Sequence, residues 1–239
     1  MRKLLDIARR GSADEPEWHQ VFEYETNDEG ATVATALREL NRRTELFDVE
    51  GNPAAPIRWA CSCLQKKCGS CAMVIDGVPQ VACDARLAGF KGTTITLEPL
   101  RKFPVLVDLI VDRAAVFNRL KEAEAWLEEE VGLPTRRSEI AYEASRCLEC
   151  GCCLEVCPNF SVEGSERGGF GGMAAMVPMS RLLAEVNGPQ RKKLASTYIE
   201  AVYAGCGKSL ACRKICPAGI DIGRLMSRSN AAAVWRRFG

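Results

Sequence analysis

The sequence predicts an α+β chain in two parts, a small mixed domain over residues 1–105 and an all-helical domain over 106–239. Three observations predict it. Strand-like runs surround one helical stretch in the first part. Apolar residues recur at three- and four-residue intervals through the second. Cysteines bunch in both parts, at 61, 63, 68, 71 and 83, then 147, 150, 152, 153 and 157, then 206, 212 and 216.

The opening "MRKLLDIARR" has charges but only a short apolar core, and acidic residues follow, so it reads as neither a signal nor a transit peptide. "VFEYE", "CAMVI" and "TTITLEPL" read as strands and "TVATALRELNRR" as the helix among them. Between Cys71 and Cys83, Asp76-Gly77 stands between two apolar runs, the composition of a two-residue hairpin turn whose residues tolerate positive φ. In the second part "VDLIVDRAAVFNRLKEAEAWLEEE", "RKKLASTYIEAVY" and "DIGRLMSRSNAAAVWRRF" have helical period, the last opening on Asp221 as N-cap. Pro134 and "SERGGFGG" (165–172) mark turns or loops. Aromatic and Met positions on these helices read as core.

Composition narrows the function classes. The 239 residues are 47% hydrophobic and 26% charged, a globular balance. A net charge of +1, with neither half forming a charged tail, leaves no basic patch for nucleic acid. No apolar run approaches the roughly 18–20 residues that span a bilayer. An odd total of 13 cysteines at short spacing argues for metal-bound thiolates in a reducing compartment over a disulfide scaffold. Zinc ribbons need paired CxxC motifs, often with His. The single histidine, His19, lies far from every cysteine cluster and reads as a surface residue.

The spacings instead fit iron–sulfur centres. Cys63-x4-Cys68-x2-Cys71 has the plant-type [2Fe–2S] spacing, and the hairpin brings Cys83 back as fourth ligand. Cys61 fits no interval. Cys147-x2-Cys150-x2-Cys153-x3-Cys157-Pro158 is the bacterial ferredoxin run, whose fourth cysteine serves the other cluster of a pair. The partner motif is Cys206-x5-Cys212-x3-Cys216-Pro217. With the fourth cysteines exchanged, Cys147, Cys150, Cys153 and Cys216 hold a [4Fe–4S] cluster. Cys157, Cys206 and Cys212 offer three thiolates, which suits [3Fe–4S]. Cys152 is left over. No catalytic base or nucleophile stands out, so the expected chemistry is one-electron transfer.

These motifs in this order, with "CGSCAM" (68–73) and "LEPLRKFPVLVDLIVD" (97–112), resemble the iron–sulfur subunits of the succinate dehydrogenase and fumarate reductase family over nearly the whole chain. The resemblance implies a β-grasp plant-type ferredoxin domain followed by a bacterial-ferredoxin-like helical domain. It also implies FAD on a flavoprotein partner at the [2Fe–2S] end. A quinone at a membrane anchor or cytochrome b subunit would lie at the [3Fe–4S] end. Pro158, Asn159, Phe160 and Lys208 become quinone-contact candidates by position. Many ubiquinone-using members carry Trp and His where this chain has Val162 and Gly207, so menaquinone is expected. The location implied is the cytoplasmic side of a bacterial membrane, attached through partner subunits.

An alternative is a subunit of a thiol-driven fumarate reductase or heterodisulfide-type reductase, which the x5 interval disfavours. A purely structural metal protein is a second, and a redox titration separates it. Arg224 and Arg228, four apart on the last helix, read as a solvated face, with a partner carboxylate or a lipid phosphate as the other reading.

Overall fold

Residues at the very start of the chain lie inside a five-stranded sheet. In the computed structural model, which describes residues 1–128, 139–162 and 170–235, strand β1 (Arg2–Arg9) pairs antiparallel with β2 (Trp18–Glu25) and parallel with β5 (Thr94–Glu98). β3 (Ala72–Ile75) and β4 (Val78–Val81) complete the order β2-β1-β5-β3-β4. Leu5, Ile7, Phe22, Ile95 and Leu97 alternate into the core and are fully buried. His19 stands exposed on β2 with Nδ1 2.8 Å from Asp6 Oδ1. That is the surface role read from the sequence.

Helix α1 (Val33–Leu40) starts at a reciprocal cap: the Thr35 amide donates to Thr32 Oγ and the Thr32 amide to Thr35 Oγ. It buries Val33, Ala36, Leu37 and Leu40, each leucine contributing about 1.5–3 kcal/mol. Its first amides, Val33 and Ala34, donate to the carbonyls of Ala85 and Ala82. The helix start thereby anchors the segment that carries Cys83.

The expectation of one continuous helix from residue 107 is corrected. Val105–Val107 is strand β6 and Ile110–Val111 strand β7, turned at Asp108 (φ 42°). Helix α2 (Ala114–Glu122) begins only afterwards and stops before Glu124 (φ 46°). Asp108 is the cause at the first turn. Its carboxylate accepts from Arg9 Nε (3.1 Å) and from the amides of Arg10 (2.9 Å) and Arg58 (2.8 Å), bonds a helical backbone there could not reach. The chain accordingly divides into units 1–112 and 113–239.

In the second unit α5 (Gly172–Glu185) is the hub, with Met173, Ala175, Met176, Val177 and Met179 almost wholly buried. Around it pack α2, α3 (Glu139–Ser145), α4 (Cys152–Glu155), α6 (Gly188–Tyr198) and α8 (Ile222–Ala233). The helical stretch read over 191–203 is α6 followed by a π turn, Ile199–Tyr203. Asp221 caps α8, its Oδ1 accepting from the Arg224 amide at 3.1 Å. A short helix α7 (Ala211–Ile215) packs on α4 and α8. Pro134 and residues 165–169 of the loop expectations lie outside the described residues. No helix among the described residues is long and apolar enough to cross a membrane.

Candidate metal centres

All thirteen cysteines are free thiols. In the first unit, the antiparallel register Ala72↔Val81 places Cys71 and Cys83 just beyond the open end of the β3–β4 hairpin. The Ala82 amide donates to the Cys71 carbonyl (3.0 Å) and closes that end. The turn is built as its composition demands, with Asp76 at φ 48° and Gly77 at φ 75°. Ahead of the hairpin the chain curls through Leu64 (φ 54°), Lys66 (φ 56°) and Gly69 (φ 72°). Left-handed residues alternating with ordinary ones turn successive amides inward as an anion nest. The Gln65 and Lys67 amides donate to Cys63 Sγ at 3.3 and 3.4 Å, and the Lys66 amide donates to Cys83 Sγ at 3.2 Å.

Two non-glycine left-handed residues cost about 1–2 kcal/mol each, and the amide–sulfur contacts offset that only if the sulfurs carry charge. The four thiols fall into hydrogen-bonded pairs, Cys63 with Cys68 and Cys71 with Cys83. The Ser70 hydroxyl, with help from Cys63, pulls the Cys68 thiol down to about 6. Burial pushes Cys71 up to about 12, a proton that bound metal would displace. A four-thiol set arranged two by two, with amides aimed at its sulfurs, fits a [2Fe–2S] cluster, whose two irons each take two thiolates. Cys61 is exposed. Lys66 and Asp84, joined at 2.6 Å, flank Cys83, and neither was singled out by spacing because an ion pair across 18 residues has no local pattern.

In the second unit one pocket is lined by Cys147, Cys150, Cys153 and Cys216 together. Its remaining wall is mainly apolar, including Met173, Val177, Ile220 and Ile222. Glu149 (φ 49°) and Gly151 (φ 86°) bend the chain so that three cysteines from one run face one space. Burial raises Cys147 to about 12 and Cys153 well above its ordinary value. Cys150 is instead drawn down to about 7, foremost by a hydrogen bond from Cys152, with the Arg113 charge assisting. Arg113 also donates from Nη1 to the Cys150 carbonyl at 3.4 Å. Cys152, fully buried, is pushed up by the same bond. Four thiols around a mainly apolar pocket fit a four-iron cluster.

Cys157 follows α4, Cys206 follows the π turn and Cys212 lies on α7. Cys212, raised by burial, also feels the charges of Cys157 and Cys206, so the three are neighbours. Cys206 Sγ lies 4.0 Å from Met226 Sδ. Among the described residues no three Cys, His, Asp or Glu side chains close on one ion.

Pro158, Asn159 and Lys208 are exposed, whereas Phe160 is 3% exposed and lies against the Gly172 backbone. Phe160 thus packs inward within this chain. A Cβ at Gly207 would sit 3.0 Å from Asn159 Oδ1, so Gly207 and Asn159 share one small space. Lys208 Nζ stands 5.2 Å above the Tyr203 ring, a cation–π contact that adds Tyr203 to this surface.

Residues 4–118 match the family model for a 2Fe-2S iron-sulfur cluster binding domain, and residues 143–220 that for a 4Fe-4S dicluster domain. The chain is 35% identical over 228 residues to the succinate dehydrogenase iron-sulfur subunit of Bacillus subtilis (strain 168), covering 90% of this chain and 86% of that one. It is 31% identical over 209 residues to the fumarate reductase iron-sulfur subunit of Wolinella succinogenes, covering 81% and 82%. In fold it is similar to a chain of the Mycobacterium smegmatis Sdh1 complex in the apo form. The TM-score is 0.78 at 22% identity, over 100% of this chain and 98% of the other.

Proposed function

The chain belongs to the family of succinate dehydrogenase and fumarate reductase iron–sulfur subunits, and from that premise we propose that it links the FAD of a flavoprotein subunit to a quinone at a membrane anchor subunit, on the cytoplasmic side of a bacterial membrane. The observation that supports this most is the pocket shared by Cys147, Cys150, Cys153 and Cys216, the last of them more than 60 residues along the chain from the other three. When bound, the clusters supply one-electron transfer. Cys63, Cys68, Cys71 and Cys83 hold [2Fe–2S], Cys147, Cys150, Cys153 and Cys216 hold [4Fe–4S], and Cys157, Cys206 and Cys212 hold [3Fe–4S]. The sheet order, with a hairpin, a helix and a last strand parallel to the first, supports a β-grasp reading of the first unit.

The chain's own part is to hold, shield and tune. Amides of Gln65, Lys66 and Lys67 donate to ligand sulfurs and stabilise their negative charge, which raises the reduction potential there. Met173, Val177, Ile220 and Ile222 keep water from the second set of thiolates, which disfavours added negative charge and lowers the potential. Pro158, Asn159 and Lys208 form the quinone-facing surface. The small space between Gly207 and Asn159 supports menaquinone, since a histidine at 207 would displace Asn159. Turnover of the purified complex with quinone analogues tests this: menaquinone analogues are expected to outpace ubiquinone analogues, and a clear ubiquinone preference would contradict it.

A further inference from the structure

Among the described residues, two arginines of the helical unit have no partner, and both border one cleft. Arg113, Arg119, Arg146, Arg181, Arg213 and Arg224 each bond a carbonyl or carboxylate of the chain. Arg191 and Arg228 have no hydrogen bond or ion pair among the described residues. They line a cleft of about 240 Å³ between α3, α5, α6 and α8. Its floor holds the buried hydroxyls of Ser180 and Ser229, 2.7 Å apart, with Ser180 Oγ donating to the Met176 carbonyl at 2.8 Å. Ile140, Leu183 and Ala232 form the apolar wall, and among the described residues no carboxylate lines the space. Glu139, the acid beside Ile140, is held by Arg224 (2.7 Å), and Glu185 by Arg181 (3.6 Å).

The cleft thus offers two permanent positive charges against a floor whose hydroxyls already satisfy each other. Guanidinium forks match tetrahedral oxyanions in two-point bonds. A carboxylate brings one negative charge and leaves one arginine uncompensated. A phosphate monoester brings about −1.5 to −2 at neutral pH and balances both.

We propose that this cleft binds a phosphate dianion held between Arg191 and Arg228. The group comes either from free inorganic phosphate or from a phosphatidic acid headgroup, whose acyl chains would meet the apolar wall. Calorimetric titration of inorganic phosphate into the cluster-loaded full-length chain tests the first source. Co-sedimentation with phosphatidylcholine vesicles, with and without phosphatidic acid, tests the second. Arg191→Gln and Arg228→Gln are each expected to weaken binding about tenfold, the loss of one charge-assisted bond set, and the double variant to abolish it. Circular dichroism and iron content establish that each variant is folded, and the single variants suffice should the double fail. Arginine-dependent binding in one arm alone identifies the source. Binding in neither arm, or binding that the variants leave unchanged, overturns the proposal.

Discussion

Asp108 shows how one side chain can set the path of two segments far apart in sequence. It is 3% exposed, accepts from Arg9, itself 3% exposed, and from two backbone amides. Arg9 in turn donates to Gln20 and to the carbonyls of Ala55 and Pro56, on the approach to the first cysteine loop. Removing one partner of a buried ion pair strands the other, at a cost of about 3–5 kcal/mol. Asp108→Ala is therefore expected to lower the urea midpoint of the chain by an amount matching that loss. No change at all would mean that water or another acceptor compensates Arg9. None of this network was legible in the sequence, because its members lie up to 99 residues apart. The cysteine motifs were legible, since their spacing is local. Cys61→Ser is expected to leave the iron content of the purified chain unchanged, while Cys63→Ser removes about two irons per chain, the content of one [2Fe–2S] cluster. Equal losses in both variants would reverse the roles given to Cys61 and Cys63.

The hairpin β3–β4 was the most readable element, because only a few residue pairs tolerate two successive positive φ values and Asp76-Gly77 is one of them. Its function is positional: it returns Cys83 to Cys71. Gly77→Val places a β-branched side chain at φ 75°, a strain of about 1–2 kcal/mol. The variant is expected to lose its [2Fe–2S] absorbance faster than the parent under a chelator, with the four-iron signal unaffected. Parallel loss of every signal would mean global unfolding instead. The β6–β7 ribbon was misread because the apolar residues of "VLVDLIVD" satisfy helical and strand periods over so short a run, and the deciding contact, at Asp108, is long-range. The π turn at Ile199–Tyr203 has no local sequence signature either, yet it delivers Tyr203 beneath Lys208 and the chain directly into Cys206.

At the scale of the whole molecule the two units differ in what holds them together. The sheet unit has a core of its own, from Leu5 and Ile7 to Ile95 and Leu97. In the helical unit Cys147, Cys153, Cys206, Cys212 and Cys216 pack against the core, and α4 and α7 span only four and five residues. Helices that short are not stable alone, so bound metal contributes to the folding of that unit. Stripping iron is expected to cost helical circular dichroism while the sheet signal of the first unit persists. Loss of both signals together would contradict that division. The central claim is that this chain holds three different clusters, and iron and sulfide analysis with EPR of the air-oxidised and dithionite-reduced protein tests it most directly. About nine irons per chain, with a paramagnetic signal already present in the oxidised state, is the predicted result for [2Fe–2S], [4Fe–4S] and [3Fe–4S] together. About ten irons and a silent oxidised state would contradict it, because the third site would then hold four irons with a ligand other than cysteine.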